Sequence, residues 1–259
     1  MELKGLFLTR LLSFTIGLST MVTAYRYPSA NSKVTGGSAA DIKDYPYMAQ
    51  MLLWGEFYCG SAIISNVWII TAAHCTAGTT SFSISVRAGS DWIGNDGISI
   101  KVIEKKEHPN FNEKIHDYDL AVVRLAFALT FGSNVAPVEL PVWNERVFPG
   151  TTATVSGWGS IYHGGPKPNQ LHAVDLPIIE PQECKQIYNP REITDRMLCT
   201  LYPRGSKDAC AGDSGGPLVA KGKLIGVVSW GAGCGFPSLP CVYTCIPPLR
   251  SYIFATTGV

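Results

Sequence analysis

The chain carries little charge and almost no excess of either sign. Only 16% of its 259 residues are charged, and 21 Lys and Arg against 20 Asp and Glu leave a net charge of +1. This balance gives no electrostatic basis for nucleic acid or an acidic membrane surface as the main partner. With 46% hydrophobic residues, the chain is also too apolar to be disordered. We therefore expect a globular protein that binds neither nucleic acid nor membrane.

Long apolar runs are equally scarce. The segment Leu11 to Val22 is apolar, but it is short of the roughly 20 residues that span a bilayer. It follows Lys4 and Arg10 and ends in the small residues up to Ala24, which is the layout of a secretory signal peptide. The sequence therefore predicts a signal peptide over residues 1–24 and a secreted, extracellular protein.

Short strand-like segments fill most of the remaining chain, and helical periodicity is rare. Gly, Pro, Asn and Asp separate about a dozen apolar runs, a pattern typical of an all-β sandwich or barrel. Residues 126–140 lack clean alternation and are a candidate linker. After Pro248 the apolar residues have helical spacing, which predicts a short C-terminal helix.

The cysteines indicate disulfides rather than a metal site. Their number is even, and in an oxidising compartment an even set reads as a disulfide framework. No CxxC pair supports zinc, so we expect no metal and no cofactor. Spacing alone leaves the pairing open. The eight are Cys59, Cys75, Cys184, Cys199, Cys210, Cys234, Cys241 and Cys245.

Three segments carry side chains suited to nucleophilic catalysis. His74 lies in Thr-Ala-Ala-His-Cys after an apolar run, where a neutral imidazole can act as a general base. Asp119 directly precedes an apolar run and is suited to orient a histidine, with Asp117 as a competing candidate. Ser214 lies in Gly-Asp-Ser-Gly-Gly-Pro, where glycines permit a tight turn with an exposed hydroxyl. Each segment alone has an ordinary structural explanation, but the three together favour an active site.

Together these segments resemble the secreted serine proteases of the chymotrypsin and trypsin type. The resemblance runs from Val34 to about Ile253 and includes TAAHC, DLAVV, GDSGGP, Gly157-Trp158-Gly159 and Ser229-Trp230-Gly231. It implies two antiparallel six-stranded β-barrels with the active site between them. Within a peptidase domain of residues 34–259, the first barrel would span about 34–130, the second about 140–246 and the helix about 248–256.

The resemblance also implies the roles of the reactive residues. Ser214 would be the nucleophile, His74 the general base and then acid, and Asp119 the residue that orients His74. The backbone N–H groups of Gly212 and Ser214 would form the oxyanion hole.

Activation follows from the same resemblance. Residues 25–33 would be a propeptide that is removed by cleavage after Lys33. The new N-terminal ammonium of Val34 would then bury against Asp213 and order the pocket.

The family's disulfides correspond to Cys59–Cys75, Cys184–Cys199 and Cys210–Cys234, which leaves Cys241 and Cys245. Four residues along an extended strand span about 13 Å, whereas a disulfide needs Cα atoms within about 7 Å. These two are therefore free thiols, or their strand is irregular, or one pairs with another chain. A further alternative is that Cys241 competes with Cys210 for Cys234.

The resemblance places Asp208 at the base of the primary specificity pocket, where it would pair with a substrate Arg or Lys. Cys241 stands where trypsin-like relatives have Gly, and its side chain would narrow the path to Asp208. We therefore expect a trypsin-like preference with reduced efficiency. The predicted substrate-binding residues are Asp208, Ala209, Ser229, Trp230, Gly231 and Cys241.

The leading prediction is a monomeric secreted endopeptidase that cleaves protein or peptide substrates and meets protein inhibitors. One alternative is a catalytically silent homologue that acts as a binding protein, which the bulk of Cys241 favours. A second is an active protease of non-tryptic specificity. His108, His163 and His172 are interpreted as surface or loop histidines.

Overall fold

The structure is a computed structural model that describes residues 36–94, 96–189 and 193–259. The predicted signal peptide, propeptide and Lys33–Val34 cleavage point lie outside the described residues. No helix within these ranges is long and apolar enough to cross a membrane.

Six antiparallel strands form a closed barrel in the first half of the chain, in the order β2-β3-β4-β7-β6-β5. A short strand, β1, precedes them. The strands are β1 (Ser38–Ala39), β2 (Met48–Leu53), β3 (Glu56–Ile63), β4 (Trp68–Thr71), β5 (Ile84–Ala88), β6 (Ile98–Glu107) and β7 (Ala121–Leu125).

Local sequence explains how these strands pair. In β5, Ile84, Val86 and Ala88 are buried and the alternate residues are more exposed, as expected of a strand with one face on the core. The two-residue turn between β2 and β3 has φ of 54° at Trp54 and 93° at Gly55. Positive φ at both positions matches the twist of a tight hairpin, so this turn sets the register of the first two barrel strands.

Seven strands form the second sheet, in the order β1-β9-β8-β11-β12-β13-β10. Its first strand is β1, which crosses over from the start of the chain and pairs with β9 at Ser38 and Ala173. The other strands are β8 (Thr152–Gly157), β9 (His172–Pro177), β10 (Met197–Thr200), β11 (Pro217–Ala220), β12 (Lys223–Gly231) and β13 (Cys241–Cys245).

The second sheet also curls into a barrel. A single bridge joins Ile178, just after β9, to Thr200 at the end of β10. The Ile179 N–H donates to the Cys199 carbonyl at 3.0 Å beside that bridge. The all-β fold of two barrels is therefore confirmed. The second barrel differs from the first because it closes through this one bridge and carries β1 as an extra strand.

Two α-helices complete the described fold. Helix α1 (Pro181–Ile187) was not anticipated, whereas the expected C-terminal helix is α2 (Arg250–Thr257). Although α2 follows the second barrel, Ile253 packs in the apolar core of the first. The Tyr252 hydroxyl donates to the Lys106 carbonyl of β6 at 2.9 Å. This helix therefore ties the end of the chain to the first barrel.

The disulfides match the expected pairing: Cys59–Cys75, Cys184–Cys199 and Cys210–Cys234. The two remaining cysteines, Cys241 and Cys245, are free thiols at the ends of β13. Cys241 pairs in register with Thr200 of β10 and Gly231 of β12. Of the alternatives for this pair, the structure has free thiols in a paired strand.

Candidate active site

Strand pairing in the first barrel brings His74 and Asp119 together. The last residue of β4, Thr71, is opposite the first residue of β7, Ala121. His74 lies in a one-turn 3-10 helix just after β4, and Asp119 lies just before β7. Because the two strands are antiparallel neighbours, these side chains emerge at the same end of the barrel.

The Asp119 carboxylate holds His74 at two points. Its Oδ1 accepts the His74 backbone N–H at 2.9 Å, and its Oδ2 lies 2.7 Å from Nδ1 of the ring. The Ser229 hydroxyl also donates to Oδ2 at 2.6 Å. With Nδ1 engaged by the carboxylate, Nε2 is the ring nitrogen left for proton exchange with a substrate.

Asp119 is fully buried yet ionised. Burial alone would raise the pKa of this carboxyl. The nearby His116 ring, together with hydrogen bonds from His74 and Ser229, outweighs burial and holds the pKa of Asp119 well below its usual range. A permanent negative charge therefore lies behind the His74 ring.

The competing acid, Asp117, has a different structural role. Its carboxylate pairs with the Arg196 guanidinium at 2.6 Å and accepts the Thr194 hydroxyl at 2.7 Å. The guanidinium carbon also lies 4.8 Å from the centroid of the Tyr118 ring. Asp117 thus anchors the turn before Asp119 to the second half of the chain, and Asp119 is the acid that reaches His74.

His116 is a further group at this carboxylate. Its Nδ1 lies 3.6 Å from Asp119 Oδ2, and its ring centroid lies 5.6 Å from that of His74. His116 has a φ of 57°. The backbone therefore takes a conformation that is uncommon for a residue with a side chain in order to direct this ring inward.

The Ser214 loop packs directly on the first barrel. The Ser214 carbonyl accepts the Gly60 N–H of β3 at 2.8 Å. At Gly215, which has a φ of +80°, an added Cβ would lie 2.2 Å from Thr71 Oγ1 and 2.5 Å from the Gly60 carbonyl oxygen. Only glycine fits there. The serine loop of the second barrel is thereby held against β3 and β4, next to the segment that carries His74.

Two backbone amides beside Ser214 are suited to receive an oxyanion. Gly212 has a φ of +104°, which turns the chain sharply before Ser214. Within the described part of the chain, neither the Gly212 nor the Ser214 N–H donates to another protein group. Unpaired amides at a turn can stabilise negative charge that develops on a substrate carbonyl oxygen.

The Asp213 carboxyl is buried beneath this turn. Its Oδ1 accepts the Gly159 N–H at 2.8 Å and its Oδ2 accepts the Cys210 N–H at 2.9 Å. An added Cβ at Gly157 or Gly159 would lie 2.0 or 2.5 Å from this carboxyl group. Burial raises the pKa of Asp213 to about 6, although these hydrogen bonds oppose the rise. The Gly-Trp-Gly segment is therefore the socket for Asp213.

A cavity of about 300 Å³ opens beside Ser214. Of the predicted substrate-binding residues, five line it and Asp208 does not. The lining includes the Cys210–Cys234 disulfide and His163, which is exposed in a loop as predicted but also borders this cavity. The lining residues are His163, Ala209, Cys210, Ala211, Ser214, Val228, Ser229, Trp230, Gly231, Gly233, Cys234 and Cys241.

Asp208 is outside the lining of this cavity and is only 4% exposed. Its Oδ2 accepts the Gly235 N–H at 3.0 Å. Burial, helped by repulsion from the Asp213 carboxyl, raises the pKa of Asp208 to about 7. Burial and the same Asp208 carboxyl also raise the pKa of the Cys241 thiol well above its usual value.

Two groups of metal-ligating atoms occur in the described part of the chain. In the first, Cys59 and Cys75 are joined in a disulfide and have no thiolate to offer. In the second, the ligand atoms of His74, His116 and Asp119 lie within 4.8 Å of one another, but the first and last already bond each other. Neither group is an open metal site.

Sequence reasoning missed several residues that shape this site. Arg196 and Thr194 are far along the chain from Asp117, so no local pattern links them. The interpretation of His172 as a surface or loop residue was wrong, since it is buried in β9, whereas His108 lies in a loop but is buried there. The His108 ring stacks on Tyr118 at 4.4 Å between centroids and supports the turn before Asp119.

Similarity to known proteins identifies the enzyme class of this chain. It is a serine endopeptidase, a hydrolase of peptide bonds. The chain belongs to the trypsin family, whose description "Trypsin" matches residues 34–253.

Three relatives illustrate the extent of the match. A vitellin-degrading protease of Bombyx mori is 37% identical over 244 residues, which cover 94% of this chain and 92% of the relative. Trypsin 5G1 of Aedes aegypti is 35% identical over 232 residues, or 89% and 87% of the two chains. Trypsin alpha-4 of Lucilia cuprina is 36% identical over 254 residues, or 97% and 98%.

Proposed function

We propose that the protein is a secreted endopeptidase that hydrolyses peptide bonds after Arg or Lys through a Ser214 acyl-enzyme. It is made as a zymogen and activated by cleavage after Lys33. The observation that carries the catalytic part is the two-point hold of Asp119 on His74, at 2.7 and 2.9 Å, next to the Ser214 loop.

In the first half of the reaction, Ser214 Oγ attacks the scissile carbonyl carbon while His74 Nε2 takes the hydroxyl proton. The negative charge on the carbonyl oxygen is stabilised by the N–H groups of Gly212 and Ser214, each worth about 10²–10³ in rate. His74 then gives the proton to the leaving amine, and the acyl group stays on Ser214. Asp119 stabilises the imidazolium throughout and stays ionised.

In the second half, water replaces the amine. His74 takes a proton from the water, whose oxygen attacks the acyl carbon, and Ser214 leaves with that proton. The carboxylic acid product departs and the enzyme is regenerated. Every proton is accounted for by one histidine, so no cofactor is needed.

The Arg/Lys preference is supported by the position of Asp208, six residues before Ser214, and by relatives that are named trypsins. Ala209, the chain neighbour of Asp208, lines the cavity, and so does Cys241, which interacts electrostatically with Asp208. Cys241 limits access to it, which supports reduced efficiency.

Activation is supported by the surroundings of Asp213. The two described hydrogen bonds to its carboxylate are donated by neutral amides, at 2.8 and 2.9 Å. A buried carboxyl of this kind gains a full charge partner when an ammonium docks. The chain just after Val34 is also packed closely, since an added Cβ at Gly36 would lie 2.0 Å from the Ser206 carbonyl oxygen.

We further propose that the protein acts as a monomer whose partners are protein or peptide substrates and protein inhibitors, with no role for nucleic acid or membranes. The apolar leader of residues 1–24 supports secretion.

The test is a profile of the residue before the cut. The zymogen would be cleaved after Lys33 and assayed on amide substrates with Arg, Lys, Phe, Leu or Val at that position, with Ser214→Ala as control. Cleavage after Arg and Lys that depends on Ser214 is the expected result. No cleavage by correctly processed, folded protein would favour the silent binding homologue. Cleavage of apolar substrates only would leave the catalytic proposal intact and overturn the Arg/Lys preference.

A further inference from the structure

A free thiol lies in the wall of the substrate cavity, where an acidic group is expected. Cys241 lines the cavity and Asp208 does not, although both residues are only 4% exposed. Cys241 interacts electrostatically with Asp208 on one side. Its Sγ lies 3.8 Å from the Trp230 carbonyl oxygen of the neighbouring strand on another. A substrate side chain therefore meets a neutral thiol where a carboxylate is expected.

The groups around Asp208 do not favour its charged form. Those that face it before cleavage are the Asp213 carboxyl, the Cys241 thiol and the Tyr243 phenol, which are neutral or negative. In the activated enzyme the Val34 ammonium proposed to dock on Asp213 would offset the repulsion from that carboxyl, which leaves burial as the main cause of the raised pKa of Asp208. The adjacent Lys207 places its ammonium 4.8 Å from the centroid of the Tyr202 ring. Among the described residues, Asp208 is thus a buried carboxyl stabilised by N–H groups of Gly235 and Ala209 alone.

We propose that Cys241 makes the recognition of Arg and Lys dependent on pH, because it occupies the cavity wall in place of the buried Asp208 carboxyl, which can attract a cationic side chain only in its ionised form. This inference rests on the proposed function. In acid the same cavity favours uncharged side chains, and in alkali it favours cations.

The chemistry of the cavity supports both preferences. With Asp208 protonated, a substrate ammonium or guanidinium in the cavity faces a thiol and apolar atoms and has no opposite charge, which makes its desolvation costly. An uncharged side chain packs against Ala209, Val228 and Trp230 and is indifferent to the state of Asp208. Once Asp208 ionises, the cation gains a buried counter-charge.

The pKa of Asp208, raised by its burial to about 7, sets the expected pH window. For such a group roughly a tenth is ionised at pH 6 and nearly all at pH 9. The preference for a cation should therefore rise about tenfold between these two pH values.

The experiment measures kcat/KM for a matched pair of amide substrates, one with Lys and one with Leu before the cut, at pH 6 and pH 9. Any titration of the catalytic histidine acts on both substrates and cancels in their ratio. The Lys/Leu ratio of the wild-type enzyme should rise about tenfold. In Cys241→Gly, water reaches Asp208, so the ratio should be higher and nearly independent of pH. Cys241→Ser gives a second variant in which the volume is kept.

Two control variants test whether another side chain causes the pH dependence. Cys245→Ala removes the other free thiol of β13, which does not line the cavity, and should keep the wild-type pH dependence. His163→Gln removes the other titratable side chain on the cavity wall and should also keep it. Loss of the pH dependence in His163→Gln would overturn the proposal.

The remaining outcomes distinguish this proposal from the proposed function. A wild-type Lys/Leu ratio that favours Lys equally at both pH values overturns the proposed pH dependence and leaves the proposed Arg/Lys preference intact. An equal pH dependence in wild type and in Cys241→Gly overturns the role of Cys241. Cleavage of the Leu substrate alone at both pH values overturns both the proposed pH dependence and the Arg/Lys preference.

Discussion

Oδ2 of Asp119 lies 2.7 Å from Nδ1 of His74, while Oδ1 of the same carboxylate accepts the His74 backbone N–H at 2.9 Å. The acid therefore fixes both the ring and the backbone of the residue that carries it. A histidine held in this way has one tautomer available, with the proton on Nδ1 and the lone pair on Nε2.

Asp119→Asn should nearly abolish activity while the fold remains. The amide can donate to Nδ1 and so favours the wrong tautomer, and a loss of about 10⁴ in kcat is expected. Steady-state kinetics at pH 8 measure it, with circular dichroism as the check on folding. Asp117→Asn is the matched variant and should retain most activity. A comparable loss in both variants would contradict the assignment of Asp119.

Gly157→Ala should displace Asp213 and impair both stability and activity. The new methyl would lie 2.0 Å from the Asp213 carboxylate oxygen, and overpacking of this kind costs about 1–3 kcal/mol. Thermal unfolding and titration of active sites measure the two effects. Gly132→Ala is the control, because an added Cβ there has no atom within 4 Å. Unchanged activity in Gly157→Ala would show that Asp213 tolerates displacement.

The ion pair of Asp117 and Arg196 should stabilise the fold in a pH-dependent way. Burial opposes ionisation, but hydrogen bonds from Arg196 and Thr194 prevail and lower the pKa of Asp117. A carboxyl with a depressed folded-state pKa contributes stability above its unfolded value, near 4, and loses it as the pH falls through the folded value. Its contribution should be about 1–3 kcal/mol at pH 7.

Urea unfolding of wild type, Asp117→Asn, Arg196→Met and the double variant forms a cycle that isolates this pair. The coupling should be present at pH 7 and should shrink progressively below about pH 4. A coupling that is unchanged at pH 3 would show that the interaction does not depend on the charge of Asp117.

Two disulfides with nearly equal loops should differ in their effect on catalysis. Cys59–Cys75 closes a separation of 16 residues and Cys184–Cys199 one of 15, so removal of either should cost about 3 kcal/mol. Only the first holds the residue next to His74. Replacement of each pair by Ala, with kcat measured on the folded fraction, should lower kcat for Cys59–Cys75 alone. Equal kcat values would place the two bonds in the same structural role.

The free thiols should be inert in the native protein. Burial raises the pKa of the Cys245 thiol to about 12, and that of Cys241 rises for the same reason. Because the thiolate is the reactive form, a disulfide reagent at pH 8 should label neither residue within minutes and both after denaturation. Rapid labelling of native protein, mapped to β13, would contradict the burial of Cys241 or the raised pKa of the partly exposed Cys245 thiol.

Much of the candidate active site could be predicted from the sequence because the reactive residues lie in compact motifs. Ser214 and its glycines lie within one six-residue segment, so this motif can be recognised directly in the sequence. The residues alone left the choice between Asp117 and Asp119 open, since both precede the same strand, and only the family resemblance favoured Asp119. In the structure the choice depends on Arg196, which is distant in sequence and reaches Asp117 only after both halves of the chain have folded.

The strand content of the fold could be predicted from the sequence, but the closure of the second barrel could not. Alternating residues such as those of β5 identify strands, but the Ile178–Thr200 bridge depends on how far the second sheet coils. Helix α1 escaped prediction because its seven residues are too short to show a period. The position of Cys241 was clear, whereas the absence of Asp208 from the lining of the cavity required the packed structure.

The pairing of β1 with β9 fixes the chain after Val34 at a short distance from Asp213. Ser38 pairs with Ala173, which pairs in turn with Ser156, the neighbour of Gly157 in the Asp213 socket. Two strand spacings amount to about 10 Å, and four extended residues from Val34 to Ser38 reach about 14 Å. An amino terminus formed by cleavage before Val34 would therefore be confined to a small volume around the Asp213 carboxyl. Its effective concentration would be about millimolar or higher, so docking would be as fast in dilute as in concentrated solution.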